Sequence, residues 1–249
     1  MFNFFAKDES RSGNRFLLDG ADHNHIKNVL RMRPDDTFLV SHNGVSHLCR
    51  LVEFTDQQTV AEIIEENYQN TELPVAITLF QGLPKSDKME WIIQKTVELG
   101  VAEIVPVEMT NCVVKLEDKK KKAKQTRWQA IAEAAAKQSK RTVIPTVTEP
   151  MSYKAAVAMA SEMDLILVPY ENARGMVATK EAVEQIKSGM KVGIFIGPEG
   201  GFDPKEIDAV TDVGGQTVSL GSRILRTETA AITALSLCML HVEMNGENQ

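Results

Sequence analysis

Apolar positions repeat with two different periods along this 249-residue chain. Between Thr37 and Glu65, the stretches TFLVSHNGVSHLCRLVEF and TVAEIIEE hold short runs of β-branched, aromatic and aliphatic residues. The runs are broken by Asn43-Gly44 and by Thr55-Asp56-Gln57-Gln58. Asn-Gly between two such runs predicts a hairpin closed by a two-residue type I′ turn, with a third strand after the second break. RFLL, from Arg15, supplies a fourth strand. DHNHIKNVLRMRPDD reads as a short helix with Ile26, Val29 and Leu30 on one face, stopped by Pro34. A small β-barrel or sandwich over the first 67 residues is the expected outcome.

ENYQNTELP, residues 66 to 74, is polar, lacks periodicity and ends in proline, which marks a linker. Beyond it, apolar strands alternate with longer amphipathic helices. VAITLFQG precedes SDKMEWIIQKTVELG, in which Met89, Ile92, Ile93, Thr96 and Val97 keep helical spacing and Gly100 stands where a helix stops. AEIVPVEM, a helix over about 119 to 139, TVIPTV, a helix from Ser152, DLILVPY and a helix over about 178 to 188 follow. KVGIFIG, PKEIDAVTDVG, QTVSLG and a final helix from about Thr227 complete the series. The alternation specifies an α/β fold, a parallel sheet covered by helices on both faces. The expected division is residues 1–70 and 74–249. Ligands of such sheets bind outside the carboxyl ends of the strands, so the loops after strands hold the chemistry.

Composition narrows the setting. The chain is 43% hydrophobic and 25% charged, ordinary for a globular protein. Three scattered cysteines, Cys49, Cys112 and Cys238, make no C-x-x-C pair and fit reduced thiols, so a cytoplasmic protein is expected. The longest apolar run, 230 to 240, is too short to cross a bilayer, and His23 and His25 lack a third ligand for a metal. Formal net charge is -6, yet residues 115 to 141 hold ten Lys and Arg against three Asp and Glu, and 142 to 249 hold eight against fourteen. A basic stretch on an acidic protein is the footprint of a polyanion or, equally, a solvated lysine-rich helix start.

Two loops concentrate the unusual residues. FIGPEGGFDPKEI leaves a strand through Gly197 to Gly201 and enters a helix with Asp203 as N-cap, Pro204 at N1, Glu206 at N3 and Phe202 with Ile207 as a hydrophobic staple. A glycine-rich turn of this kind usually cradles phosphate on bare N–H groups. Glu199 opposes that, and neither the dinucleotide nor the P-loop pattern matches. The loop suits a ligand that needs close backbone approach and carries no phosphate. LGSRILRTETA, after the strand TVSL, has Gly221 for an irregular turn, Ile224 and Leu225 as an apolar wall for a flat base, Thr227 as a helix cap, and Arg226 and Glu228 beside it.

GPEGG, LGSRILRTETA, MEWIIQKTVELG and QSKRTVIP, in the positions they hold, resemble the bacterial 16S ribosomal RNA (uracil-N3)-methyltransferases of the SPOUT superfamily. The resemblance covers essentially the whole chain. It implies a PUA-like RNA-binding β-barrel over the strand-rich start and a C-terminal α/β methyltransferase domain tied in a deep trefoil knot. It further implies a homodimer, S-adenosyl-L-methionine as cofactor, and 16S rRNA or the small ribosomal subunit as partner, with no metal and no membrane. Cofactor contacts then fall on Gly197, Pro198, Glu199, Gly200, Gly201, Leu220, Gly221, Ile224, Leu225 and Thr227. A cofactor with a sulfonium, an ammonium and ribose hydroxyls tolerates Glu199 where a pyrophosphate would not.

Methylation at uracil N3 requires loss of the N3 proton. Arg226 is the candidate to stabilise the uracil anion, and Glu228 to orient Arg226 or accept the proton. Candidate RNA contacts are Arg11, Arg15, His25 and Arg31 in the barrel, with Lys85, Lys88, Lys115, Gln138 and Arg141 beyond it. The chain departs from the family pattern at Asn3 and Asn111, where arginines are usual, so two RNA-facing charges are expected to be lost. A knotted ribose 2′-O-methyltransferase and a non-catalytic RNA-binding assembly factor are the alternatives.

Overall fold

Asn43 and Gly44 both take positive φ, 49° and 77°, as a type I′ turn requires, and they join strands β4 (Thr37–His42) and β5 (Val45–Phe54) in an antiparallel hairpin. This hairpin belongs to the first of two units of the computed structural model, which describes residues 1–171 and 175–246. The unit comprises Met1–Glu72 together with Ala136–Ile144. Its other strands are β1 (Asn3–Phe5), β2 (Arg11–Ser12), β3 (Arg15–Asp19) and β6 (Gln58–Glu65), in the sheet order β1-β4-β5-β6-β3-β2. β1 runs parallel to β4, and all other pairs are antiparallel. Two register shifts between β5 and β6 bend the pair. The sheet encloses Phe4, Phe16, Leu18, Ile26, Phe38, Val40, Cys49, Leu51, Ala61 and Ile63.

The short helix α1 (Gly20–Asn24) continues through His25–Val29 with a wider turn, Leu30 N–H donating to the His25 carbonyl. Widening the turn rotates later residues off the apolar face. Ile26 is therefore fully buried while Val29, expected on the same face, is exposed. The run ends at Arg31 (φ 52°), ahead of Pro34. Asn3 is also buried: its amide donates to the Arg141 carbonyl and accepts from Ser41. The residue in place of the usual arginine is thus a packing group inside this unit.

The second unit comprises Leu73–Ala135 and Pro145–Gln249. Its strands are β7 (Ala76–Gly82), β8 (Glu103–Glu108), β9 (Thr146–Val147), β10 (Met151–Ser152), β11 (Leu165–Pro169), β12 (Lys191–Ile196) and β13 (Gly215–Val218). They form one sheet of order β10-β8-β7-β12-β11-β13 with β9 beside β8, and every pairing is parallel. The helices are α2 (Lys88–Glu98), α3 (Asp118–Ser139), whose last residues pack in the first unit, α4 (Tyr153–Ala160), α5 (Met176–Val183), α6 (Pro204–Thr211) and α7 (Thr227–Gly246). α2 buries the five residues its spacing selects and ends in a Schellman motif, with Gly100 at φ 95° and Val101 N–H donating to the Thr96 carbonyl. At the sheet centre Phe80 of β7 stacks on Phe195 of β12, centroids 4.4 Å apart. None of the described helices is long and apolar enough to cross a membrane.

Candidate functional site

A cleft of about 560 Å³ opens at the carboxyl ends of β11, β12 and β13, within the size range of small-ligand pockets. Its walls are Ile196 to Phe202 after β12, Ser219 to Thr227 after β13, Pro169 to Glu171 after β11, and Lys88 and Ala230. All ten candidate cofactor residues lie in these walls, as do Arg226 and Lys88; Glu228 joins them through its ion pair with Lys88.

The first loop is held from several sides. Gly82, at the end of β7, lies so close that a Cβ there would meet Pro198 N at 2.7 Å. A Cβ on Gly200 would meet Asn111 Cβ at 2.9 Å, and the Asn111 amide donates to the carbonyls of Gly200 and Gly201, 3.2 Å each. Asn111, where an arginine is usual, braces the glycine loop. Thr110 donates through N–H and hydroxyl to Glu206 Oε1. The α6 start is the expected capping box, with Asp203 accepting from Lys205 N–H and Glu206 Oε2 accepting from Asp203 N–H. Carboxylates therefore already occupy the N–H groups that a phosphate would need.

Thr227 departs from its expected role as a cap. Arg226 takes the position before α7, its carbonyl accepting from Ala230 N–H. The Thr227 hydroxyl is buried, donates to the Gly197 carbonyl at 2.7 Å and accepts from Gln81 Nε2 at 2.9 Å. Gln81, fully buried, also donates to its neighbour's carbonyl at Gly82. One hydrogen-bonded chain thus joins the ends of β7 and β12 to the first residue of α7. Nothing in an apolar-strand pattern singles out Gln81 except its being a polar residue in a buried run.

Glu199, Lys88 and Glu228 form an ion cluster. Lys88 Nζ lies 3.1 Å from Glu199 Oε1 and 3.2 Å from Glu228 Oε2, and Lys85 N–H donates to both Glu199 oxygens. Glu228 Oε2 is closed off from solvent, and Lys88 is the cation that meets it. Partial burial alone would raise the Glu199 carboxyl. N–H donation from its own backbone and from Lys85, with the Lys88 ammonium, outweighs that and holds it below the usual carboxylate range. The Glu199 bond to Lys88 in turn raises the lysine. Glu228 pairs with Lys88 and not with Arg226, which is exposed and has no ion pair among the described residues. Lys88, a candidate RNA contact, sits between these two carboxylates. Ile224, expected as a wall, stands 89% exposed at the rim, with Leu220 and Leu225 deeper.

The candidate RNA residues divide. In the first unit Arg15, Arg31 and His25 are exposed, Arg15 and Arg31 without ion pairs among the described residues, whereas Arg11 pairs with Glu66. Arg141 is corrected: it is 4% exposed and its guanidinium grips Glu72, which also accepts from Thr142 and Val143 N–H. It serves to fasten 136–144 to the strands of that unit. Gln138 is exposed beside it, as are Lys85 and Lys115 in the second unit. Much of the basic run is spent internally, Lys121 on Glu108 and Asp118, Arg127 on Glu90 and Lys137 on Asp22. No group of metal-ligating residues occurs among the described residues.

The observed donor set fits a cofactor without phosphate: a glycine loop with no room for a Cβ at Gly200, an apolar wall, capped helix N–H groups and two carboxylates. Family models match at residues 71–239 as an RNA methyltransferase domain and at 18–64 as an RNA methyltransferase PUA domain. Ribosomal RNA small subunit methyltransferase E of Bacillus subtilis is 37% identical over 96% of this chain and 95% of that protein. The protein of the same name from Mycobacterium tuberculosis is 31% identical, over 93% of this chain and 88% of its own. The crystal structure of the Neisseria gonorrhoeae protein of that name, bound to S-adenosyl methionine, superposes with a TM-score of 0.79 at 31% identity, covering 95% of each chain.

Proposed function

The chain belongs to the RNA methyltransferase family, with its PUA domain, and on that premise we propose that it methylates N3 of one uridine of 16S rRNA in the assembled small subunit, using S-adenosyl-L-methionine. The observation that carries the reading is the cleft at the strand ends, where the glycine loop and the Leu220–Thr227 loop face each other.

Gly197 to Gly201 would hold the cofactor by backbone groups, and Leu220, Leu225 and the rim residue Ile224 would pack its adenine. When bound, the cofactor supplies an electrophilic methyl group with a neutral thioether as leaving group. Arg226, exposed at the cleft and without an ion pair among the described residues, stabilises negative charge on a uracil oxygen as N3 loses its proton. Glu228 takes that proton. Positioning and charge stabilisation account for most of the rate in such a displacement. Residues 1–70 form the RNA-binding part and 74–249 the methyltransferase part, whose chain end is threaded as the trefoil knot of the family. Arg15, Arg31, His25, Lys85, Lys115 and Gln138 contact RNA. The protein acts in the cytoplasm, in keeping with three free, buried cysteines. It works as a homodimer, supported by Leu240 and Met244, exposed one turn apart on α7.

The test is mass spectrometry of nucleosides from small-subunit RNA of cells with and without the gene, joined to methylation of purified subunits and naked RNA. A missing 3-methyluridine, restored by protein on subunits, is expected. A missing 2′-O-methyl nucleoside, or no change, refutes the proposal.

A further inference from the structure

We propose that Lys88 is a positioning residue for the transfer reaction: its ammonium, shared by Glu199 and Glu228, holds the Glu228 carboxylate at the cleft as the acceptor of the substrate proton. The inference rests on Glu228 being that acceptor. Three elements meet at one nitrogen, the first turn of α2, the glycine loop and the first turn of α7. One cation serves two carboxylates, so the cluster carries a net charge of -1, and the first proton it takes up brings it to neutrality.

The proton balance follows from that count. The N3 proton would pass to Glu228, and the electron pair left on nitrogen would form the bond to the methyl carbon as the methyl–sulfur bond breaks and its pair stays on sulfur, leaving a neutral thioether. Lys88 then remains paired with Glu199, so no charge is stranded when Glu228 becomes neutral, and the proton leaves to solvent through the partly exposed carboxyl. Without Lys88, two carboxylates would face each other across the space its nitrogen fills. Like charges at such range repel, and one of them titrates upward. The other groups facing the cluster are Lys85 before α2, which contributes its N–H, and Cys112, whose thiol is raised by burial and by the charges of Glu206 and Glu199. None of these supplies a second cation in contact with Glu228 among the described residues.

The free protein provides a test independent of turnover. Carboxyl 13C titration of glutamate-labelled protein, with Glu199→Gln and Glu228→Gln used for assignment, should show one of the two groups in Lys88→Met titrating about one pH unit or more above its wild-type position. Lys88→Arg should restore it. In methylation assays the acid limb of kcat should move upward by a similar amount in Lys88→Met and return in Lys88→Arg, with KM for RNA little changed. Glu199→Gln, which gives Lys88 to Glu228 alone, should move the limb the other way, and it serves where Lys88→Met does not fold. Titrations and kcat profiles that coincide with wild type, with only KM for RNA raised, would make Lys88 a phosphate contact and overturn the inference. Absence of methylation by the wild-type protein would overturn the proposed function and the transfer role with it. Unshifted titrations in an active enzyme would overturn the role of Lys88 alone.

Discussion

Replacing Thr227 by valine keeps the volume and removes the hydroxyl that connects Gly197 to Gln81. The Gly197 carbonyl then loses its 2.7 Å donor, and Gln81 Nε2 loses one of its two acceptors. Gln81 is fully buried and Gly197 partly so, beside a residue 5% exposed. Leaving a buried polar group without a partner costs about 1–3 kcal/mol, so two partial losses amount to roughly 2–4 kcal/mol. For a chain of this size a change of 1 kcal/mol moves the melting temperature by about 2–4 °C, which puts Thr227→Val near 4–16 °C below wild type. Thr227→Ser keeps the hydroxyl and loses one methyl group, a cost of about 0.8 kcal/mol. Paired scanning calorimetry and urea denaturation measure both variants, and S-adenosylmethionine titrations should show weaker binding for valine, because Gly197 heads the cofactor loop. If valine and serine lose equal stability, or valine loses none, the hydroxyl is not what holds the loop.

Gly200→Ala must push its methyl group against Asn111, at 2.9 Å from Cβ and 3.1 Å from the carbonyl oxygen; at roughly 1–3 kcal/mol for such overpacking, cofactor binding by calorimetry should weaken about tenfold or more. Arg226→Ala should lower kcat at least about a hundredfold with S-adenosylmethionine affinity unchanged, whereas loss of affinity alone would make it a binding residue. Burial alone would raise the Glu72 carboxyl, but the Arg141 guanidinium and the Thr142 and Val143 N–H groups hold it below its ordinary value. A depressed carboxylate stabilises the fold above its unfolded pKa, and that stability drains away as pH falls through the folded value. Acid denaturation followed from pH 6 to about 2 should therefore be shallower in Glu72→Gln than in wild type, from a less stable starting point at pH 6. Arg15→Ala and Lys115→Ala should each reduce the dependence of RNA affinity on log salt by about one contact, and Arg141→Met should leave it unchanged.

Periodicity and turn chemistry were enough for most of the architecture. Asn43-Gly44, the five buried positions of α2 and the Asp203-Pro204-Lys205-Glu206 cap are local signals, complete within a few residues, and each forms as its pattern requires. The switch from strand runs to strand–helix alternation separated a mostly antiparallel sheet from a fully parallel one. The glycine loop and the LGSRILRTETA loop were recognisable because glycines, a carboxylate and apolar residues are out of place in ordinary turns.

What the chain could not declare was pairing between distant charges and polar groups. A lysine or arginine in sequence carries the same formal charge whether it meets solvent or a carboxylate dozens of residues away. Only the folded chain decides that Arg141 is spent on Glu72, that Lys88 joins Glu199 to Glu228, and that Asn111 braces Gly200. The same holds for Gln81 and Thr227, 146 positions apart, whose hydrogen bond exists because parallel strands bring their carboxyl ends to one edge. Sequence by itself thus determined the elements and the loops that bear the chemistry, since those rest on local spacing. Tertiary structure decided which side chains are left free to act, because that depends on partners that burial brings together.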